Sequence, residues 1–136
     1  MRYLLDTNVL SETRRPRGDE SVRAWLASVP AGDLYLSALV VGEIRRGVER
    51  LKRRDPDQAE VYETWLGAVL NDYADRSIPV DAEIADEWGR MSVTDPVPIV
   101  DGLMAATAKV RNMTFVTRNT ADVERSGVRI LNPFGS

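Results

Sequence analysis

A chain of 136 residues, 43% hydrophobic and 29% charged, has the composition of one ordinary globular domain rather than a disordered or fibrous protein. It contains neither cysteine nor histidine, which excludes disulfide frameworks, thiolate and imidazole zinc sites and most nucleophile–base pairs. Its net charge of −3 leaves no overall basic footprint for nucleic acid, although arginines gather at Arg14, Arg15 and Arg17 and again at Arg45, Arg46, Arg50, Arg53 and Arg54. Such runs make either solvated helix faces or a local basic rim.

Along the chain, short apolar runs alternate with longer segments of helical period. Strands are predicted at Tyr3 to Asp6, Leu34 to Ser37, Ser77 to Val80, Thr114 to Thr117 and Arg129 to Leu131. Helices are predicted at Glu20 to Val29, Ala38 to Arg53, Asp57 to Tyr73, Ala82 to Met91 and Ile99 to Arg111. Strands alternating with helices imply an α/β fold with a parallel sheet covered on both faces. Ser37 stands where an N-cap belongs, with Val40, Ile44, Val48 and Leu51 recurring behind it, and Pro98 stands where a first helical position belongs. No repeat or long linker interrupts the pattern, so residues 1–136 are expected to form a single domain. Met1 to Asp6 carries too short an apolar run for a signal peptide and no stretch approaches a membrane span, so a cytoplasmic location without membrane contact is expected.

With thiols and imidazoles absent, an oxygen-ligated hard cation is the natural cofactor, and acids near strand ends become the candidates. Asp6 follows the first strand directly, where it can cap a helix or bind a metal, and Asn8 can support either role. Glu43 lies about 60° from Val40 on the helical wheel, at the edge of the apolar stripe, beside the small Gly47. The bland alternative there is an ion pair with Arg46. Asp101 enters a helix that is apolar nearly all round, with Ala105 and Ala108 above it on the same face. A carboxylate in that setting costs several kcal/mol unless a cation or strong donors compensate it, and the helix dipole supplies only about 0.3–1 kcal/mol. Asp122 follows Thr117 within one loop, where backbone hydrogen bonding is the usual role of an Asp. Periodicity does not say which end of the sheet Asp101 reaches.

At these residues the sequence resembles the PIN-domain ribonucleases, specifically the VapC/FitB-like toxins of bacterial type II toxin–antitoxin pairs. The stretches that carry the likeness are 5–12 (Leu-Asp-Thr-Asn-Val-Leu-Ser-Glu), Ser37-Ala38 with 42–47 (Gly-Glu-Ile-Arg-Arg-Gly), 99–108 around Asp101, 116–119 (Val-Thr-Arg-Asn) with Asp122, and 132–134 (Asn-Pro-Phe). They run in the family's order from end to end. One departure is Val123 after the last acid, where the family often has an aromatic residue.

The resemblance implies a PIN-like three-layer α/β/α fold with a five-stranded parallel sheet. It places Asp6, Glu43, Asp101 and Asp122 around one or two Mg²⁺ (or Mn²⁺) ions, with Asn8, Thr117 and Asn119 as supporting polar residues. The implied activity is endonucleolytic cleavage of RNA phosphodiesters, with single-stranded or looped RNA, such as tRNA or rRNA, the favoured substrate. A homodimer and a larger complex with a cognate antitoxin protein are expected. The antitoxin would place a cation, an Arg above all, among the carboxylates, because a planar guanidinium can engage them bidentately. Two alternatives remain: phosphoryl transfer through an aspartyl-phosphate at Asp6, and a non-catalytic RNA-binding domain of the same fold.

Overall fold

Leu4, Leu5, Leu36, Phe115 and Val116 are almost wholly buried, as strands covered on both faces require. The computed structural model describes residues 1–15, 17–91 and 97–135. Its strands are β1 (Tyr3–Leu5), β2 (Leu34–Ser37), β3 (Ser77–Ile78), β4 (Thr114–Val116) and β5 (Ile130–Leu131), all parallel, in the order β3-β2-β1-β4-β5. Tyr3 pairs with Leu34 on one side and Thr114 on the other, so β1 is the central strand. From β1 the chain builds outward through β2 and β3, then returns to lay β4 and β5 on the other side. That reversal opens a crevice at the carboxyl ends of β1 and β4, where ligands bind in open α/β sheets.

The helices among the described residues are α1 (Thr7–Leu10), α2 (Glu20–Ser28), α3 (Ala38–Arg54), α4 (Pro56–Asp72), α5 (Ala82–Met91), α6 (Ile99–Val110) and α7 (Thr120–Val123). They cover the sheet in the three-layer arrangement expected. Ser37 caps α3 by accepting from the Leu39 amide at 3.1 Å, and Val40, Ile44 and Val48 turn into the core while Leu51 is only half-buried. Asp55 closes α3 and caps α4, its carboxylate accepting from the Gln58 amide at 3.2 Å, with Pro56 at the first helical position. In α6, Gly102 and every residue from Met104 to Ala108 are buried, as its all-round apolar sequence predicted.

The boundaries depart from the sequence pattern in informative ways. β1 and β4 stop one residue early, yet the Asp6 amide donates to Val116 O at 2.9 Å and the Thr117 amide to Leu131 O at 3.0 Å, so the ladder continues through both. β3 ends before Pro79, which has no N–H to give a ladder. Pro98 is the N-cap of α6 rather than its first helical residue, and its carbonyl accepts from the Gly102 amide at 2.9 Å. The single-turn helices α1 and α7 are too short to leave a periodic signal. No helix among the described residues is long and apolar enough to cross a membrane.

Candidate active site

Asp6 emerges from the central strand straight into the crevice. Only 4% exposed, it takes the first of the roles open to it: as N-cap of α1 its Oδ1 accepts from the Thr7 amide at 2.7 Å, while Oδ2 accepts from the Thr117 hydroxyl at 2.6 Å and Asn8 Nδ2 at 3.3 Å. Burial pushes the Asp6 carboxyl up, and the Thr117 hydroxyl and the Thr7 amide pull it back toward the charged form. Thr117 is completely buried at the end of β4 and also accepts from the Asn119 amide at 3.0 Å. Asn8 reaches across the switch point, accepting from the Arg118 amide at 3.4 Å. The loops after β1 and β4 are thus tied together through Asp6, Asn8 and Thr117.

Glu43 projects from the second turn of α3, half-buried at the edge of the apolar stripe. Its Oε1 accepts from the Thr7 hydroxyl at 2.5 Å, so it faces α1 rather than pairing with Arg46. A Cβ at Gly47 would meet nothing within 4 Å, which leaves the space beside Glu43 open. Thr7 is the residue that the sequence reading passed over. Its backbone holds Asp6 and its side chain holds Glu43, and the only sequence signal was its place between two polar neighbours at a strand end.

Asp101 stands half-buried in the first turn of α6, below the buried Ala105 and Ala108, and accepts no hydrogen bond among the described residues. Burial raises its carboxyl to about 6, with further upward pressure from the negative charges of Asp6, Asp122 and Glu43. That electrostatic pattern brings the four acids into one neighbourhood. Asp122 is exposed and lies within α7, a helical turn where a loop was expected. The turn is anchored by Val123, 2% exposed, so the branched residue that departs from the family pattern is a core residue. Asp122 also reaches a pocket of about 220 Å³ between α6 and α7, lined by Ala105, Val123 and Ser126 among others. Asn119 is exposed at the N-cap of α7 and makes no side-chain cap bond.

All donors in this neighbourhood are oxygens, the set a hard divalent cation takes. Among the described residues no three carboxylates stand close enough, as oriented, to share an ion directly. Two of them are turned to other partners, Asp6 to Thr7, Thr117 and Asn8, and Glu43 to Thr7. Burial is the first cause of the raised Asp101 carboxyl and the neighbouring acids add to it, so a cation among these residues would offset the second cause and not the first. By donor chemistry, four carboxylates and no softer ligand, the residues present fit a hard divalent ion.

Comparison with known proteins gives the family and the fold. Residues 3–125 match the PIN domain family. The chain is 35% identical to Toxin FitB of Neisseria gonorrhoeae, covering 96% of this chain and 97% of that one. It is 32% identical to VapC ribonuclease Y4jK of Sinorhizobium fredii over 96% of each chain. Among solved structures, that of FitAB bound to an IR36 DNA fragment superimposes with a TM-score of 0.88 at 35% identity, over 98% of this chain and 96% of that chain. A domain match running from the first strand through α7, and relatives a third identical along nearly their whole length, establish that this chain belongs to the PIN-domain family.

Proposed function

We propose that this protein is a divalent-metal-dependent endoribonuclease that acts as the toxin of a toxin–antitoxin pair. The observation that carries the reading is the convergence of Asp6, Glu43 and Asp122 on Asp101, at the switch point of a sheet whose relatives include a VapC ribonuclease. Asp6, Glu43, Asp101 and Asp122 are the residues that would hold Mg²⁺ or Mn²⁺. Bound there, the cation supplies charge that activates a water and neutralises the scissile phosphate.

The chain's own residues prepare that site. Thr117, Asn8 and the Thr7 amide keep Asp6 in one orientation, and the Thr7 hydroxyl does the same for Glu43. Oriented donors of this kind fix the ligand oxygens that approach an ion. Single-stranded or looped RNA suits an open crevice, since its backbone can be splayed past the acids.

The aspartyl-phosphate alternative gives Glu43, Asp101 and Asp122 no part, although their charges act together with that of Asp6. A purely RNA-binding role would set four neighbouring acids against a phosphate backbone with no cation between them. An antitoxin partner is proposed from the likeness to Toxin FitB and the FitAB assembly.

The direct test is cleavage of a labelled single-stranded RNA by the purified protein in Mg²⁺, in Mn²⁺ and in chelator. Internal cuts that need metal and vanish in Asp101→Asn are the expected result. RNA left intact in both metals, or cut equally by Asp101→Asn, overturns the proposal.

A further inference from the structure

Arg118 lies between Thr117, which holds Asp6, and Asn119, and its backbone amide donates to Asn8 Oδ1 at 3.4 Å. It is therefore fixed at the rim of a four-acid neighbourhood. A guanidinium so placed would ordinarily turn to one of the carboxylates. Instead its side chain is exposed and pairs with none of them, and the guanidinium carbon stands 4.3 Å from the centre of the Phe134 ring. Phe134 reaches that position because β5 runs parallel to β4, so the residues after Leu131 emerge at the same carboxyl end as Thr117. The Phe134 amide donates to Asn132 Oδ1 at 3.0 Å, which folds the chain back at Asn132 and Pro133.

An arginine braced on an aromatic face keeps its in-plane N–H fork free, and that fork matches a phosphate bidentately. The stack also lowers the rotamer entropy that a free arginine would lose on binding. Some other cations are engaged with acids, as Arg45 is with Glu63 and Glu49, and Arg111 with Asp81, while Arg2, Arg14 and Arg76 lie over aromatic rings away from the loop after β4. Arg118 combines a charge not held by any of the four acids, a fixed pedestal and a place beside them.

We propose that Arg118, held on Phe134, grips a phosphate of the RNA backbone that flanks the scissile one, and so sets the register of the strand over the acids. This rests on the ribonuclease reading above. The contact belongs to binding and is made equally in ground and transition states, so its loss should raise KM and leave kcat almost unchanged.

The test uses the full chain and a labelled single-stranded RNA of defined sequence that the wild type cuts. Binding is measured in the Asp101→Asn background over a KCl series at fixed Mg²⁺, and cleavage kinetics in the otherwise wild-type protein. Losing one phosphate contact on a single strand should lower the slope of log Kd against log salt by about 0.7. Arg118→Ala is expected to show that drop, with KM raised roughly tenfold and kcat within about twofold. Arg118→Lys should keep the salt slope, because a charge remains, and lose part of the affinity because the planar fork is gone. Arg129→Ala removes a charge at the amino end of β5, where Arg129 bonds to Asn112, and should leave the slope unchanged.

An unchanged slope in Arg118→Ala, or an equal fall in Arg129→Ala, overturns the proposal while RNA cleavage by the wild type leaves the ribonuclease reading standing. A fall in kcat with KM unchanged also overturns it, since the contact would then belong to the transition state. Failure of the wild type to cut any RNA removes the reading on which it rests.

Discussion

At the scale of single residues, the site is a set of acids whose environments differ. Asp6 is buried and supported by three donors, Glu43 is held by one hydroxyl, Asp101 is raised and unsupported, and Asp122 is exposed. Asp6→Asn, Glu43→Gln and Asp101→Asn are each expected to lower RNA cleavage by more than roughly 100-fold, and Asp122→Asn to retain measurable activity, in initial-rate assays at saturating metal. Thr117→Val is the sharper probe, because it touches no substrate. Removing its hydroxyl leaves Asp6 Oδ2 with only the longer bond to Asn8, which should cost about 1–3 kcal/mol of stability and roughly 10–100-fold in activity. Thermal melting and cleavage rates on the same preparation read both; a Thr117→Val protein with full activity would show that the bond is not needed to aim Asp6. Asp6 was legible in the sequence because it ends an apolar strand, whereas Thr7 was not, since its partner Glu43 is 36 residues away.

At the scale of elements, α6 controls where Asp101 stands. A Cβ on Gly102 would lie 3.0 Å from Val97 Cγ2 and 3.1 Å from two atoms of the Trp88 ring, so α5 and α6 meet through the absence of a side chain there. Gly102→Ala gains about 1 kcal/mol of helix propensity and loses about 1–3 kcal/mol to overpacking. The net change in stability should be small, while the first turn of α6 moves and carries Asp101 with it. Activity is therefore expected to fall more than the melting temperature does, and a variant with wild-type kcat would show that α6 absorbs the methyl without shifting. The buried character of α6 was readable from its composition, but the Trp88 contact was not, because no local pattern links residues 88 and 102.

At the scale of the molecule, the proposed metal site predicts a stability that depends on pH and on added cation. Asp101 has a folded value of about 6 against an ordinary 3.8, so the folded state binds its proton more tightly than the unfolded state. The resulting stabilisation is fully present below about pH 4 and is lost as pH rises through about 6. For a half-exposed group, solvent screening reduces the effect to roughly 1–2 kcal/mol. In chelator, Asp101→Asn should therefore melt higher than wild type, by a margin that widens between pH 4 and pH 6. Mg²⁺ or Mn²⁺ at pH 7 should raise the wild-type melt as RT ln(1 + [L]/Kd) and the variant's far less. A margin that does not change with pH, together with melts that ignore metal, would mean that the carboxylates are structural. For the assembly, co-expression of the upstream neighbouring reading frame should relieve toxicity of this chain, and equal growth arrest with and without it would count against an antitoxin encoded there.

By itself the sequence determined the fold class and the order of the main elements, and it singled out the acids as candidates. These are local matters: alternation of apolar runs, a cap at Ser37, an apolar helix interrupted by one carboxylate, and motifs in family order. Tertiary structure alone decided that Asp101 shares a neighbourhood with Asp6, Glu43 and Asp122, since that depends on β4 lying beside β1 and on where α6 enters the sheet. It also decided that Thr7 serves two acids, that Val123 is a core residue, and that Arg118 rests on Phe134 rather than on a carboxylate. Each of these joins residues distant in sequence or sets the burial of a side chain. Periodicity reports only the face on which a residue lies, whereas strand order and helix packing decide what that face meets.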